Sequence, residues 1–175
     1  MIGSDNEFLA LCGTVALGAR AGEPVANVTL RRLARDSRWR IREAVALGLQ
    51  LRGDADPAEL ERIALEWVCD PDPLVQRAAA AAICEPRLLH TARSAAVAVE
   101  VCRIATNSLT GHPPAVRRDP PLRTLRQSLG YCWSVAVAAD PEPGLAVFRS
   151  LDGSDPDVAW IITENLGKKR LARLL

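Results

Sequence analysis

The sequence predicts an all-α fold built as a stack of antiparallel helix pairs, and three observations predict it. Alanine and leucine supply 51 of the 175 residues, the small and γ-branched side chains that packed helices use, whereas a sandwich or barrel would draw on β-branched and aromatic types. Only seven residues are aromatic, so an all-β fold is excluded. Apolar residues recur at helical spacing, and short segments repeat along the chain, the mark of a repeat architecture whose units bury their apolar faces on one another. Val15-Ala16-Leu17-Gly18 returns as Val45-Ala46-Leu47-Gly48, and Val75-Gln76-Arg77-Ala78-Ala79 matches Ile41-Arg42-Glu43-Ala44-Val45. Trp39, Ile41 and Glu43 come back in register as Trp160, Ile162 and Glu164. The whole chain, 1–175, reads as one domain.

Residues 1–22, with Glu7 to Ala19 as the helical part, match a second helix without a first: a cap, a partial repeat, or the trace of a longer solenoid. The first full pair, 25–53, has Ala26, Leu30, Leu33 and Ala34, a turn at Asp36-Ser37, then Ile41, Ala44, Val45 and Gly48, with Gly53 expected as the stop. In the second pair, 56–86, Asp56-Pro57-Ala58-Glu59 gives an N-cap acid, a first-turn proline and a glutamate at the capping-box position. Leu60, Ile63, Ala64 and Trp67 form its first stripe, Cys69-Asp70-Pro71-Asp72-Pro73 breaks it, and Val75, Ala78, Ala79 and Ala82 form the second. The third pair, 91–139, is longer: Ala95, Ala98, Val99, Cys102, Ala105 and Leu109 face Leu122, Leu125, Leu129, Cys132, Trp133 and Ala136 across an inserted loop at 110–121. The last pair, 141–175, runs from Leu145 and Phe148 through an acidic turn to Trp160–Leu166 and a basic tail.

Lys plus Arg (22) nearly balances Asp plus Glu (21), which excludes a uniformly basic nucleic-acid binder but leaves room for a local basic patch. The opening MIGSDNEFLA lacks the basic residues of a leader peptide. No uncharged apolar run reaches the roughly 20 residues that span a bilayer, so the expectation is a cytoplasmic protein making no membrane contact. The five cysteines are scattered without a CxxC pair, and His90 and His112 stand alone. They are expected to pack as reduced core residues, with no metal bound. No phosphate-binding glycine loop, nucleophile elbow or His-Asp-Ser set occurs, so no cofactor is expected.

An acid-bearing turn followed by β-branched, Arg and small residues, at Asp36 to Ala46 and again at Asp70 to Ala80, resembles the HEAT repeat. The runs Arg38 to Val45 and Thr163 to Leu171, with Arg77-Ala78-Ala79 leading to Cys84-Glu85-Pro86-Arg87, are similar to bacterial HEAT-like proteins related to the DNA-alkylation-repair group. The resemblance covers Val25 to Leu175. It implies a right-handed α–α superhelix, a HEAT-like solenoid of the armadillo-like kind, whose concave face, lined by second helices, binds partners. Repair relatives excise damaged bases with aromatics beside a carboxylate. Here Trp39/Glu43 and Trp160/Glu164 stand one helical turn apart, but the pair is duplicated in two repeats and the repair group's paired-Trp-and-Asp cluster is absent. An ordinary structural role also fits, the Trp packing under its turn and the Glu favouring the helix dipole.

The resulting expectation is a non-catalytic scaffold that binds a protein partner through Arg42, Gln50, Gln76, Arg77 and Thr163. The alternative is a DNA-binding or base-excision protein whose phosphate contacts come from Arg38, Arg40, Arg42, Arg117, Arg118, Arg123, Arg126, Lys168, Lys169 and Arg170. A third reading, a purely structural part of a longer solenoid, expects an apolar patch at Phe8, Leu9 and Leu11. Against the phosphate role, repeat arginines can pair with turn acids, Arg42 with Asp36 and Arg77 with Asp70 or Asp72, while Arg31 and Arg35 point outward. Gly13, Gly18 and Gly48 are expected where helices pack closely, and Trp67 and Trp133 in the core.

Overall fold

The computed structural model describes residues 6–174; the readings that fall on residues 1–5 and 175 lie outside it. Helix α1 spans Glu7–Gly18. Four pairs follow: α2 Pro24–Leu33 with α3 Trp39–Ala55, α4 Pro57–Trp67 with α5 Pro73–Ile83, α6 Ala92–Gly111 with α7 Pro120–Ala139, and α8 Pro141–Arg149 with α9 Pro156–Leu166. A single-turn helix, α10 Lys169–Ala172, ends the described chain, and no strand occurs among the described residues.

Prolines and acids set the helix starts. Proline occupies the first turn of α2, α4, α5, α7, α8 and α9, where its missing N–H costs nothing and its fixed φ suits the helix. Asp56 accepts from the Glu59 N–H at 3.1 Å, Asp72 from Leu74 at 2.9 Å, and Asp155 from Asp157 at 2.9 Å. These caps satisfy donors that the first helical turn leaves open. The Glu59 carboxylate is held by Arg62.

Helices α1, α3, α5, α7 and α9 pack each against the next and form one layer; α4, α6 and α8 do the same in the second, and α2 lies against α1 and α3. Between the layers one continuous apolar core runs from Ala10 to Leu171, with Trp67 and Trp133 fully buried. Polar contacts keep the same register. Arg31 of α2 reaches Glu66 at 2.5 Å and Asp70 at 2.8 Å, Arg93 of α6 reaches Glu61 of α4 at 2.7 Å, and Arg126 of α7 reaches Asp157 of α9 at 2.7 Å. Arg77 of α5 pairs with Glu43 of α3. These partners lie 31 to 39 positions apart, about one repeat unit, so each pair is fastened to the next.

Several expectations are corrected. Gly53 is not a helix stop: α3 continues to Ala55, and Gly53 leaves space for Leu60, whose Cδ2 would stand 2.4 Å from a Cβ there. The inserted loop is shorter than 110–121, because α6 holds through Gly111 and Pro120 already opens α7; a 3-10 turn, Val116–Arg118, fills most of what remains. Arg31 and Arg35 do not point away: both clasp Asp70, which is itself buried. Arg42 donates to the carbonyls of Asp36 and Ser37 rather than to the Asp36 carboxylate, which takes Arg38. Arg77 prefers Glu43 to either turn acid. Cys84, Cys102 and Cys132 are core residues, but Cys69 is exposed and Cys12 half-buried; all five are free thiols.

Candidate functional site

Helix α3 presents two opposite stripes. Ile41, Ala44, Val45 and Gly48 face the core, so Trp39, Glu43, Leu47 and Gln50 fall on the outer face of the α1–α3–α5 layer. There they line an apolar groove of about 420 Å³ together with Leu11 of α1 and Ala81 of α5. Trp39 is 56% exposed and Leu47 45%, while the Arg40 guanidinium stacks 4.8 Å from the Trp39 ring centroid. The Trp39 ring therefore does not pack beneath its turn. The missed signal lay in the helical wheel, which puts a Trp and a Leu on the stripe that should be polar.

Of the five expected partner-binding residues, Gln50 lies in this groove, its Nε2 donating to the Ala81 carbonyl at 3.0 Å. Arg77 adjoins it through Glu43. Arg42 is half-buried in the first turn of α3, its guanidinium turned back onto the α2–α3 turn. Gln76 is not exposed, as a contact residue would be: only 4% accessible, it donates to the Asp70 carbonyl and to Ser108 Oγ, both at 2.8 Å, and holds α5 against α6. Thr163 is exposed on α9 and bonds back to the Ala159 carbonyl.

The expected phosphate contacts divide in two. Arg38 is engaged by Asp36 and Arg40 by Glu7, Lys168 lies 3.8 Å from Glu164, and Arg170 donates to the Tyr131 hydroxyl while stacking on its ring. Lys169 is exposed at the start of α10. Arg117, Arg118, Arg123 and Arg126 instead converge on one pocket of about 500 Å³ beside Asp155 and Asp157. Arg117 is its anchor: 8% exposed, it donates to Asp155 at 2.5 Å and to the carbonyls of Thr110 and His112 at 2.5 and 2.6 Å.

The aromatic–carboxylate pairs stay apart as sites. Glu43 is occupied by Arg77. Trp160 lies against Gly130, with the Arg126 guanidinium 4.5 Å from its ring. Cys84, Cys102 and Cys132 cluster between α5, α6 and α7, with Cys84 Sγ 3.6 Å from Cys102 Sγ. The Cys102 contact, reinforced by burial, pushes the Cys84 thiol well up; burial raises Cys102. Both shifts favour the protonated thiol over the nucleophilic thiolate. Among the described residues no group of three His, Cys, Asp or Glu side chains is placed to hold a metal ion, and no helix is long and apolar enough to cross a membrane.

The turn acids carry a pH dependence. The Arg38 guanidinium holds Asp36 below the usual carboxylate range against the cost of burial. For Asp155, burial opposes ionisation, but hydrogen bonds from Arg117 and from the Val158 and Asp157 amides outweigh it. Both carboxylates are more acidic folded than unfolded. Each therefore contributes stability that is complete above the unfolded value near about pH 4 and is lost as pH falls through the lowered folded value. Thermal melts should hold steady from neutrality to about pH 5 and then decline, with a shallower decline in Arg117→Met. A melting temperature that rises on acidification would contradict this account.

No protein-family model matches the chain, and neither a curated protein nor a solved structure matches it.

Proposed function

We propose that this chain is a non-catalytic, HEAT-like right-handed solenoid in the cytoplasm, which binds a protein partner through the concave surface of its second helices. The observation that carries the reading is the Trp39 groove. An exposed tryptophan with an arginine stacked on it has the composition of an interface hot spot, and burying it together with the exposed Leu47 against a partner removes apolar surface from water at about 25 cal/mol per Å². The solenoid reading draws support from the neighbour-to-neighbour order of the helix layers and from polar contacts spaced by one repeat, the pattern of a quasi-one-dimensional stack.

The DNA or base-excision reading draws less. Most of the arginines it needs are already held by acids or by backbone carbonyls, and neither Trp–Glu pair leaves its aromatic and its carboxylate free together. The test is capture of partners from nuclease-treated native cytosol with wild type, Trp39→Ala and Leu47→Asp. Both side chains are exposed, so the variants should melt like wild type. The expected result is a protein retained by wild type and lost by both variants. Capture that disappears on nuclease treatment, or that neither substitution affects, overturns the proposal.

A further inference from the structure

We propose that the pocket between residues 112–119, the start of α7 and the start of α9 binds a phosphomonoester, with Arg118 and Arg123 holding the dianion. Four guanidinium groups line it against two carboxylates. The carboxylates are already committed: Asp155 to Arg117 at 2.5 Å, and Asp157 to Arg126 at 2.7 Å. Arg117 is further fixed by the Thr110 and His112 carbonyls, and Arg126 by stacking on Trp160. These two arginines neutralise the aspartates and set the walls. The guanidinium groups of Arg118 and Arg123 are left exposed, with no hydrogen bond or ion pair to another described residue. Two uncommitted, forked guanidinium groups lining one pocket match the charge of a single dianionic phosphate, and each fork can donate to two of its oxygens.

The N-terminus of α9 adds little, because Asp155 already caps its amides. The volume, about 500 Å³, exceeds what a bare anion needs, and Pro114 and Pro156 give rigid apolar walls for the organic part of an ester. A polynucleotide would need cations continuing along the surface. Of the other expected phosphate contacts, Arg38, Arg40 and Arg42 are taken up near the other end of the chain, Lys168 by Glu164 and Arg170 by Tyr131, which leaves Lys169. Two uncommitted guanidinium groups gathered at one pocket suit one phosphate. The site uses different helices from the Trp39 groove and stands or falls independently of it.

The test titrates the full chain with O-phosphoserine, inorganic phosphate and duplex DNA, each at constant ionic strength set with chloride, and reads heat of binding and melting temperature. Arg118→Gln/Arg123→Gln removes the proposed contacts without disturbing any described bond, and Arg149→Gln, an exposed arginine on α8, is the charge control. The expected result is saturable phosphoserine binding, at least as tight as phosphate, weakened about tenfold or more in the double variant and unchanged in the control. The assignment is overturned by an absence of binding beyond chloride, by equal binding in the double variant, or by binding of phosphate with exclusion of phosphoserine. It is equally overturned if duplex DNA alone binds and the double variant weakens it, which would make the pocket part of a nucleic-acid surface.

Discussion

Trp133→Ala should cost about 3–5 kcal/mol of folding stability, a fall of roughly 6–20 °C in melting temperature for a chain of this size. The indole is fully buried on α7, and α7 packs against α5, α6, α8 and α9. Its Nε1 donates to Thr106 Oγ1 at 3.1 Å, and that hydroxyl, itself buried, donates to the Cys102 carbonyl at 2.8 Å. The Phe148 ring lies 5.6 Å away at a tilt of 58°. Truncation therefore opens a cavity where two layers meet, and helices fixed on several sides cannot collapse into it. Trp133→Phe keeps most of the contact area and loses one hydrogen bond, so its loss should be nearer about 1–2 kcal/mol. Trp39→Ala, at an exposed position, should change the melt little. Denaturant unfolding of the three variants checks the order; a cost below about 1 kcal/mol for Trp133→Ala would remove that residue from the core.

Helix positions were legible in the sequence because the apolar stripes and the proline-plus-acid starts are local signals. Leu60, Ile63, Ala64 and Trp67 are buried as their spacing predicts, and Asp56 caps α4. What failed was non-local. Gly53 carries a stop signal on its own, but its backbone stays helical, the break comes at Asp56-Pro57, and the glycine instead gives Leu60 of the next helix the space beside it. Arginine partners were misassigned because one guanidinium can reach several acids, and the choice rests on where neighbouring pairs sit. Arg31 therefore joins Asp70 across a pair boundary, and Gln76 turns inward toward Ser108. For the candidate sites the sequence supplied the residues but not their grouping. It named Arg117, Arg118, Arg123 and Arg126 without the pocket that gathers them, and the structural role it offered Trp39, packing beneath its turn, passed over the outward stripe that the spacing of Ile41, Ala44 and Val45 implies.

Gly18→Ala should destabilise the junction of α1 and α3 even though alanine is the better helix former. Within a helix that exchange is worth about 0.5–1 kcal/mol in favour of alanine. Against it, a Cβ on Gly18 would stand 2.3 Å from the Gly48 Cα and 2.4 Å from the Gly48 carbonyl carbon, and a Cβ on Gly48 would stand 2.9 Å from the Gly18 Cα. The obstacle is backbone on both sides, so no side chain can rotate away and the helices must separate. Overpacking of this kind costs about 1–3 kcal/mol and sometimes more, which outweighs the propensity gain. Gly18→Leu should go further and release α1, which among the described elements packs substantially against α3 and α2 alone, while a stack of nearest-neighbour contacts keeps the remaining pairs folded. Hydrogen exchange should then show lost protection over Glu7–Gly18 with protection retained in α5 and α7. Gly111 is the matched control: nothing lies within 4 Å of a Cβ there, so Gly111→Ala should be neutral or slightly stabilising. If Gly18→Ala melted as high as Gly111→Ala, the close crossing of α1 over α3 would have to be abandoned, and with it the docking of α1 as the first member of its layer.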